Sequence, residues 1–303
     1  MSAFNQQKEI SRINKNYPNR HQLDASHINL SYITHFYCNQ ENIDSVISLL
    51  RKYEQYSPDL LDQIEFIIVD DGSPIQYEIP EFDLNIRWLK INEDIQWNQA
   101  GARNLGATYA RSDKIVMLDL DHYIHENTLW YMANKRPLGR NIYKIYRTSA
   151  NNDGKIRKGH ANLFFMSRAR FMRFYGYDEE FAGHYGSEDF RFVKFHKAHG
   201  SKQSYLPKKY LCSTRDNNTD LKDNVNREKS YHTLKRDLSY NTPVDLRKKI
   251  ENRNFGAEYG HSRIFLNFTW TILSEQYRKN IPNPKSKKWW YYLWYFRWLF
   301  GNN

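Results

Sequence analysis

WNQAGARNLGATYARSDKIVMLDLDHY, residues 97–123, carries a helix, a strand and a pair of carboxylates in immediate succession. Ala100, Ala102, Ala107 and Ala110 favour helix, and Gly101 and Gly106 allow other backbone to come close. Ile115 to Leu118 is an unbroken apolar run, as expected of a strand buried on both faces of a parallel sheet. Asp119 and Asp121 follow at once. In a strand, residues i and i+2 point to the same side, so the two carboxylates are expected to converge. Their place is outside the carboxyl end of the strand, where open α/β sheets bind ligands. Converging carboxylates repel unless a cation or a proton sits between them, and hard cations such as Mg²⁺ or Mn²⁺ take oxygen ligands.

Working outward, Leu30 to Tyr37 (LSYITHFY) predicts the first core strand. An amphipathic helix follows, with Ile43, Val46, Ile47, Leu50 and Tyr53 on one face, and Ser57-Pro58 breaks it. Glu65 to Val69 reads as the second buried strand, ending in Asp70-Asp71-Gly72-Ser73-Pro74, and Ile86 to Ile91 as a third. Strands and helices in this alternation, with carboxylates at strand ends, argue for a doubly wound α/β sheet. Beyond the carboxylate pair, the pattern predicts a short helix over 127–135, an alternating strand over 141–147 and a basic loop over 150–159. A further strand is expected over 161–166. The Gly-punctuated, acidic stretch 176–190 then leads into a helix with Phe190, Val193, Phe195 and Ala198, for which Ser187 is the expected cap. Residues 215–255 turn charged and polar. Ile264, Phe265, Phe268, Trp270 and Ile272 mark another predicted helix, and Pro282 and Pro284 form a linker into KSKKWWYYLWYFRWLF, residues 285–300.

With 303 residues the chain is long enough to bury a substantial core, and its net charge of +11 points to an anionic partner. Nucleic acid, anionic lipid and a phosphorylated substrate all satisfy that charge. Two cysteines, Cys38 and Cys212, exclude a disulfide-rich scaffold and suit a reducing compartment. The first twenty residues carry no apolar h-region, so no signal peptide is expected, and no apolar run reaches the roughly 20 residues that span a bilayer.

Each candidate site has a plainer alternative. Asp70-Asp71-Gly72-Ser73 is either a tight turn, in which Asp caps backbone and Gly supplies positive φ, or an acidic clamp on a nucleotide's base or ribose. Arg103 and Asn104 either lie on a solvated helix face or bring a guanidinium fork to a diphosphate. The segment is not a phosphate-binding P-loop, because Ala107-Thr108 stands where Lys-Ser/Thr would follow the second Gly. Glu188 and Asp189 are either dipole-favoured carboxylates of a first helical turn or the source of a general base. His160 and His184 lie near glycines in the same half, where a packed or solvent-facing role competes with contact to phosphate or sugar. The tail is too short to span a membrane and too apolar for water. Lys287, Lys288, Trp289, Trp290, Trp294 and Trp298 combine a basic cluster with interfacial aromatics, which favours an anionic membrane surface over docking on the chain's own domain or on another subunit.

Taken in order, these stretches resemble nucleotide-sugar glycosyltransferases of the GT-A fold, in particular the large inverting family numbered two. The resemblance covers roughly residues 28–215. Its pieces are the strand ending Thr34-His35-Phe36-Tyr37-Cys38-Asn39, Val69-Asp70-Asp71-Gly72-Ser73 for V-D-D-G-S, and Gly101 to Gly106 for the A-R-N helix. Asp119-Leu120-Asp121 stands as the D-x-D, and Gly176 to Phe181 with Gly186-Ser187-Glu188-Asp189 as the G-[YF]-D-E-x-F and E-D elements. Each is weak alone; five in order are specific. The resemblance implies a Rossmann-like, mostly parallel sheet with flanking helices, completed by a helical C-terminal extension. It implies that Thr34, Phe36, Asp70, Asp71, Arg103 and Asp119 bind the nucleotide and its diphosphate, and that Asp119 and Asp121 mark an Mn²⁺ or Mg²⁺ site. Asp189 would be the base, with Glu188 orienting it or the acceptor. Many metal-dependent relatives place a His after the E-D helix as another ligand, whereas Leu211-Cys212-Ser213-Thr214-Arg215 has none and the next candidate is His232.

The expected organisation is an arm over 1–27, a catalytic domain over 28–215, a helical extension over 216–280 and a basic, aromatic tail over 281–303. The expected activity is metal-dependent, inverting transfer of a hexosyl or N-acetylhexosaminyl group. The donor would be a nucleoside diphosphate sugar, first of all a UDP-sugar, and the acceptor a glycan or lipid-linked glycan, as in surface polysaccharide synthesis. The tail is expected to hold the protein peripherally at the cytosolic face of a membrane. The rival class, a non-catalytic nucleic-acid- or glycan-binding protein, finds no recognition module in the sequence, and no nucleic-acid partner is expected.

Overall fold

The computed structural model describes residues 27–39, 41–135, 138–148, 155–159, 162–215 and 237–278. The arm, His160, His232 and the tail with Lys287, Lys288, Trp289, Trp290, Trp294 and Trp298 lie outside the described residues. Among the described residues no helix is long and apolar enough to cross a membrane. Cys38 and Cys212 are buried.

Strands β1 (Leu30–Phe36), β2 (Ile64–Asp70), β3 (Asn85–Ile91) and β4 (Lys114–Met117) form the parallel centre of an eight-stranded sheet. β5 (His122–Ile124), β7 (Tyr146–Thr148), β8 (Ile156–Lys158) and β11 (Leu211–Thr214) build a second, four-stranded sheet in the order β5-β11-β7-β8. With β6 (Asn141–Lys144), β9 (Phe164–Ser167), β10 (Lys202–Tyr205) and β12 (Trp270–Gln276), the main sheet runs β10-β6-β9-β4-β1-β2-β3-β12. The 3-2-1-4 order at its centre makes the crevice beside β1 and β4 the topological switch point, where such sheets take ligands.

Alternation along the strands separates two cores. Tyr32, Phe66, Ile68, Trp88, Val116 and Leu118 face one layer, which includes α1 (Asp44–Tyr53), α2 (Pro58–Leu61) and α4 (Glu126–Asn134). Ile33, Ile67, Val69, Leu89, Ile115 and Met117 face the other, formed by α3 (Gln99–Tyr109), α5 (Arg168–Arg173) and α6 (Glu188–Ala198). Strands buried on both faces are apolar at most positions because neither face meets water. The small residues of α3 serve close approach: a methyl group at Gly106 would strike the side chain of Ile33 on β1. At Gly106 the close neighbours are thus side chains of the sheet, where the sequence suggests backbone.

Local expectations are corrected at several points. The single strand expected over 141–147 is two, β6 and β7, which enter different sheets. The helix expected over 264–272 is an irregular segment followed by β12, which pairs antiparallel with β3. Ile264, Phe268 and Ile272 have helical spacing, but the exposed edge of β3 offers a ladder of backbone hydrogen bonds, and β12 takes it with a register shift between Ile272 and Ser274. Described residues of the expected helical extension therefore hold one helix, α7 (Asn241–Phe255), and one strand of the main sheet. On α6 the buried face is Glu188, Arg191, Phe192, Phe195 and His196, leaving Phe190 64% exposed. Ser187 occupies the N-cap position with φ +73° but makes no side-chain cap.

Candidate active site

Because β1, β2 and β4 run parallel, their carboxyl ends share one edge, with Phe36 paired to Asp70 and Ile33 to Met117. At the end of β2, Asp70 is fully buried. Its carboxylate accepts from the Ser73 backbone N–H at 2.7 Å and the Tyr77 hydroxyl at 2.5 Å, with Lys90 Nζ 3.7 Å away. Burial pushes its pKa up, against these hydrogen bonds and Lys90. Asp70 therefore holds the turn, and Asp71 beside it is also buried, at 1% exposure. Gly72 has φ +79°, and a Cβ there would lie 2.5 Å from the carbonyl of Glu93. Thr34 and Phe36 turn inward: the Thr34 hydroxyl donates to the Leu118 carbonyl at 3.0 Å, and the Phe36 ring packs on Trp88 and Tyr77.

Arg103 and Asn104 are buried, so the solvated-face alternative fails. From α3 the Arg103 guanidinium donates to the carboxylate of Asp119, to the Tyr177 hydroxyl at 2.7 Å and to Asn162 Oδ1 at 3.2 Å. Asn162 donates in turn to Asp119 Oδ2 at 3.2 Å. Asn104 pins the neighbouring loop: its amide accepts from Tyr177 N at 2.8 Å and donates to Tyr177 O at 2.9 Å and Glu179 Oε1 at 2.7 Å. Two adjacent helical residues thus divide the work, one reaching the sheet edge and one fixing residues 177–179.

Asp119 and Asp121 do not sit in a strand, because β4 ends at Met117 and both lie in the turn before β5. The alternation argument for their convergence does not apply there. They make different contacts: Asp119 takes Arg103 and Asn162, whereas Asp121 Oδ1 lies 2.5 Å from His122 Nδ1. Among the described residues no three His, Cys, Asp or Glu side chains cluster as a metal cage. Their donor set still fits Mn²⁺ or Mg²⁺: the side chains of Asp119 and Asp121 are 27% and 23% exposed, and such ions are held by one or two carboxylates plus substrate phosphates. Where relatives carry a His, β11 does come to the aspartates, with Thr214 paired to His122. The next residue, buried Arg215, donates from its backbone N–H to the Asp121 carbonyl at 2.8 Å and from its guanidinium to the Leu120 carbonyl at 3.1 Å.

Glu188 and Asp189 open α6 and complete the cluster. Burial, followed by the negative charge of Asp189, pushes the Glu188 carboxyl up to about 7. Its Oε1 accepts from Gln99 at 3.3 Å, and its Oε2 has no hydrogen-bond partner among the described residues. Burial also raises Asp189, opposed by its own bond from the Phe190 N–H and by the positive charges of Arg103 and Lys144. Lys144 of β6 is 4% exposed, and burial lowers it to about 8. His184 lies on the loop before these carboxylates, exposed and stacked on Tyr240.

The sequence motifs mark no role for Lys144, Asn162 or Gln99, and show Tyr177 and Arg215 only as members of longer stretches. For Lys144 a signal exists: in Asn141-Ile142-Tyr143-Lys144 it shares the inward face with Ile142, an unusual place for lysine. Asn162 and Gln99 carry no such mark.

The family model described as "Glycosyl transferase family 2" matches residues 31–194, more than half of the 303-residue chain. The chain belongs to glycosyl transferase family 2. This glycosyltransferase has the GT-A architecture, with its mostly parallel centre and carboxylates along one edge. Among solved structures it is similar to S. aureus TarS 1-349 in complex with UDP-GlcNAc, at 16% identity over 75% of this chain and 72% of that one, TM-score 0.47. The longer S. aureus TarS structure matches at 16% identity over 75% of this chain and 44% of that one, TM-score 0.46. The mannosyltransferase PcManGT from Pyrobaculum calidifontis in complex with GDP-Man and Mn²⁺ matches at 17% identity over 67% of this chain and 61% of that one, TM-score 0.45. No curated protein matches the chain.

Proposed function

We propose that this family 2 glycosyltransferase moves a hexosyl or N-acetylhexosaminyl group from a UDP-sugar to a hydroxyl of a glycan or lipid-linked glycan, with inversion. The observation that carries the reading is the buried Arg103, tied to Asp119 and Tyr177 and within the electrostatic reach of Asp189. In that arrangement Arg103 and Lys144 supply positive charge for the leaving diphosphate, for which the guanidinium fork is suited. Asp71 and the turn built on Asp70 stand at the neighbouring strand end for the uridine. Asp119 and Asp121 would hold Mn²⁺ or Mg²⁺ together with diphosphate oxygens. When bound, that ion neutralises charge on the leaving group.

Asp189 accepts the proton of the acceptor hydroxyl as that oxygen bonds to the anomeric carbon. The bond from that carbon to the diphosphate oxygen breaks, and the nucleoside diphosphate leaves with the electron pair. One displacement inverts the centre. The two carboxyls have unlike environments, and a Glu188 held near neutrality is a hydrogen-bond donor at the pH where Asp189 must accept. The reading also places the protein peripherally at the cytosolic face of a membrane through the basic, aromatic tail. Deleting residues 285–303 should abolish binding to anionic liposomes; unchanged binding removes that part of the proposal.

The transferase reading is tested by release of UDP from UDP-hexoses and UDP-N-acetylhexosamines with Mn²⁺, in the presence of candidate glycan hydroxyls or of water alone. It expects release with one donor and product of inverted anomeric configuration. Product of retained configuration contradicts the single displacement, and a folded chain that releases UDP from none contradicts the donor reading.

A further inference from the structure

We propose that Asn241 and Lys248 of α7 are positioning residues that set the two acceptor-side carboxylates, an inference that rests on reading Asp189 as the base. α7 lies beyond the family-matched segment, which ends at residue 194. The loop entering α6 has little regular structure of its own. Gly183, Gly186 and Ser187 have φ of +95°, +92° and +73°, and no side chain caps the helix at Ser187. A backbone of that kind persists only where its surroundings determine it. One side-chain amide supplies much of that determination: Asn241 Nδ2 lies 3.2 Å from the Phe181 carbonyl, 2.9 Å from that of His184 and 2.8 Å from that of Gly186. Asn241 is 1% exposed, so its amide meets these carbonyls shielded from bulk water.

α7 is anchored where the amide needs it. Lys248, also 1% exposed, places Nζ 2.7 Å from Asp178 and 2.6 Å from Glu180, and Arg247 pairs with Glu180. The Ser262 hydroxyl donates to Asp178, and the backbone N–H groups of Leu266 and Asn267 donate to Glu179, which also accepts from Asn104. Contacts therefore run from Asn104, the neighbour of Arg103, through residues 178–180 to α7. Asn241 carries them back to the residues that lead into Glu188 and Asp189. The three acidic side chains of residues 178–180 act here as attachment points for the C-terminal segment, Asp178 and Glu180 for α7 and Glu179 for residues 266–267.

Asn241→Asp keeps the size and removes the N–H donor, so it tests the latch directly. Amide hydrogen exchange over residues 182–190 should accelerate about tenfold or more, while the centre of the sheet stays protected. UDP release from the active UDP-sugar should fall by about ten- to a hundredfold, as expected for a misplaced base, with the Kd for UDP unchanged within about twofold. Should Asn241→Asp lose its thermal transition, Asn241→Ala, which adds no charge, carries the same three readouts. Unchanged exchange and turnover overturn the proposal. So does a loss of UDP affinity in proportion to turnover, which marks a general structural role. A wild-type chain that neither binds UDP nor releases it from any donor overturns the transferase reading instead, and the exchange rates alone then decide whether the latch exists.

Discussion

Replacing Glu188 by Gln should stabilise the protein at pH 8 and leave it almost unchanged at pH 4.5. Burial and the neighbouring Asp189 raise this carboxyl from 4.5 to about 7. Below about 4.5 both folded and unfolded chains hold the proton, and the group contributes nothing. Between 4.5 and 7 the unfolded chain releases it while the folded chain keeps it, so stability falls as pH rises. Above 7 the whole cost is present. At 1.36 kcal/mol for each pH unit between the two values, that cost is about 3 kcal/mol. Gln cannot ionise, retains an oxygen for Gln99 and has nearly the same shape. The variant should therefore gain about 3 kcal/mol relative to wild type between pH 4.5 and pH 8, within a factor of two. For a chain of 303 residues that corresponds to a difference in Tm of about 5 °C. Urea unfolding of both proteins at pH 4.5, 6, 7 and 8 measures it. A stability difference that stays constant across the series, within about 0.5 kcal/mol, would refute the claim that the carboxyl is buried beside a second negative charge.

Three further outcomes are expected. Asp189→Asn should lower the turnover number about a hundred- to ten-thousandfold with UDP affinity unchanged, checked by steady-state kinetics beside calorimetry. Asn104→Ala removes hydrogen bonds to Tyr177 N, Tyr177 O and Glu179 and should cost about 3 kcal/mol in urea unfolding. Arg103→Lys keeps the charge but loses the fork that spans Asp119, Tyr177 and Asn162, and should weaken UDP binding about tenfold in calorimetry.

The centre of the sheet was legible because strands buried on both faces are largely apolar: Ile64–Asp70 and Lys114–Met117 carry unbroken apolar runs, and Leu30–Phe36 keeps Leu30, Tyr32, Ile33 and Phe36 among its polar residues. The order of the short motifs gave the sheet edge, since carboxylates that follow such strands fall on one side. What local spacing could not give were contacts made at long range. Trp270–Gln276 reads as helix or strand until the free edge of β3 is known. From sequence Arg103 stays open between a solvated helix face and a diphosphate contact until Asp119, Tyr177 and Asn162 are brought to it from three other segments. Asp119 and Asp121 were placed on one strand by a rule that holds only while the strand continues, and β4 stops at Met117. Asn241 and Lys248 sit in a polar stretch with no motif, and their burial depends on partners more than fifty residues earlier in the chain, backbone carbonyls for Asn241 and carboxylates for Lys248.

The most direct test of the account is a calorimetric titration of UDP into the protein with Mn²⁺ and again with chelator, repeated on Asp121→Ala. The account predicts one UDP site whose affinity falls at least about tenfold on chelation and again in Asp121→Ala with Mn²⁺ present. Equal affinity under all three conditions, or a folded protein that takes up no UDP, would contradict it.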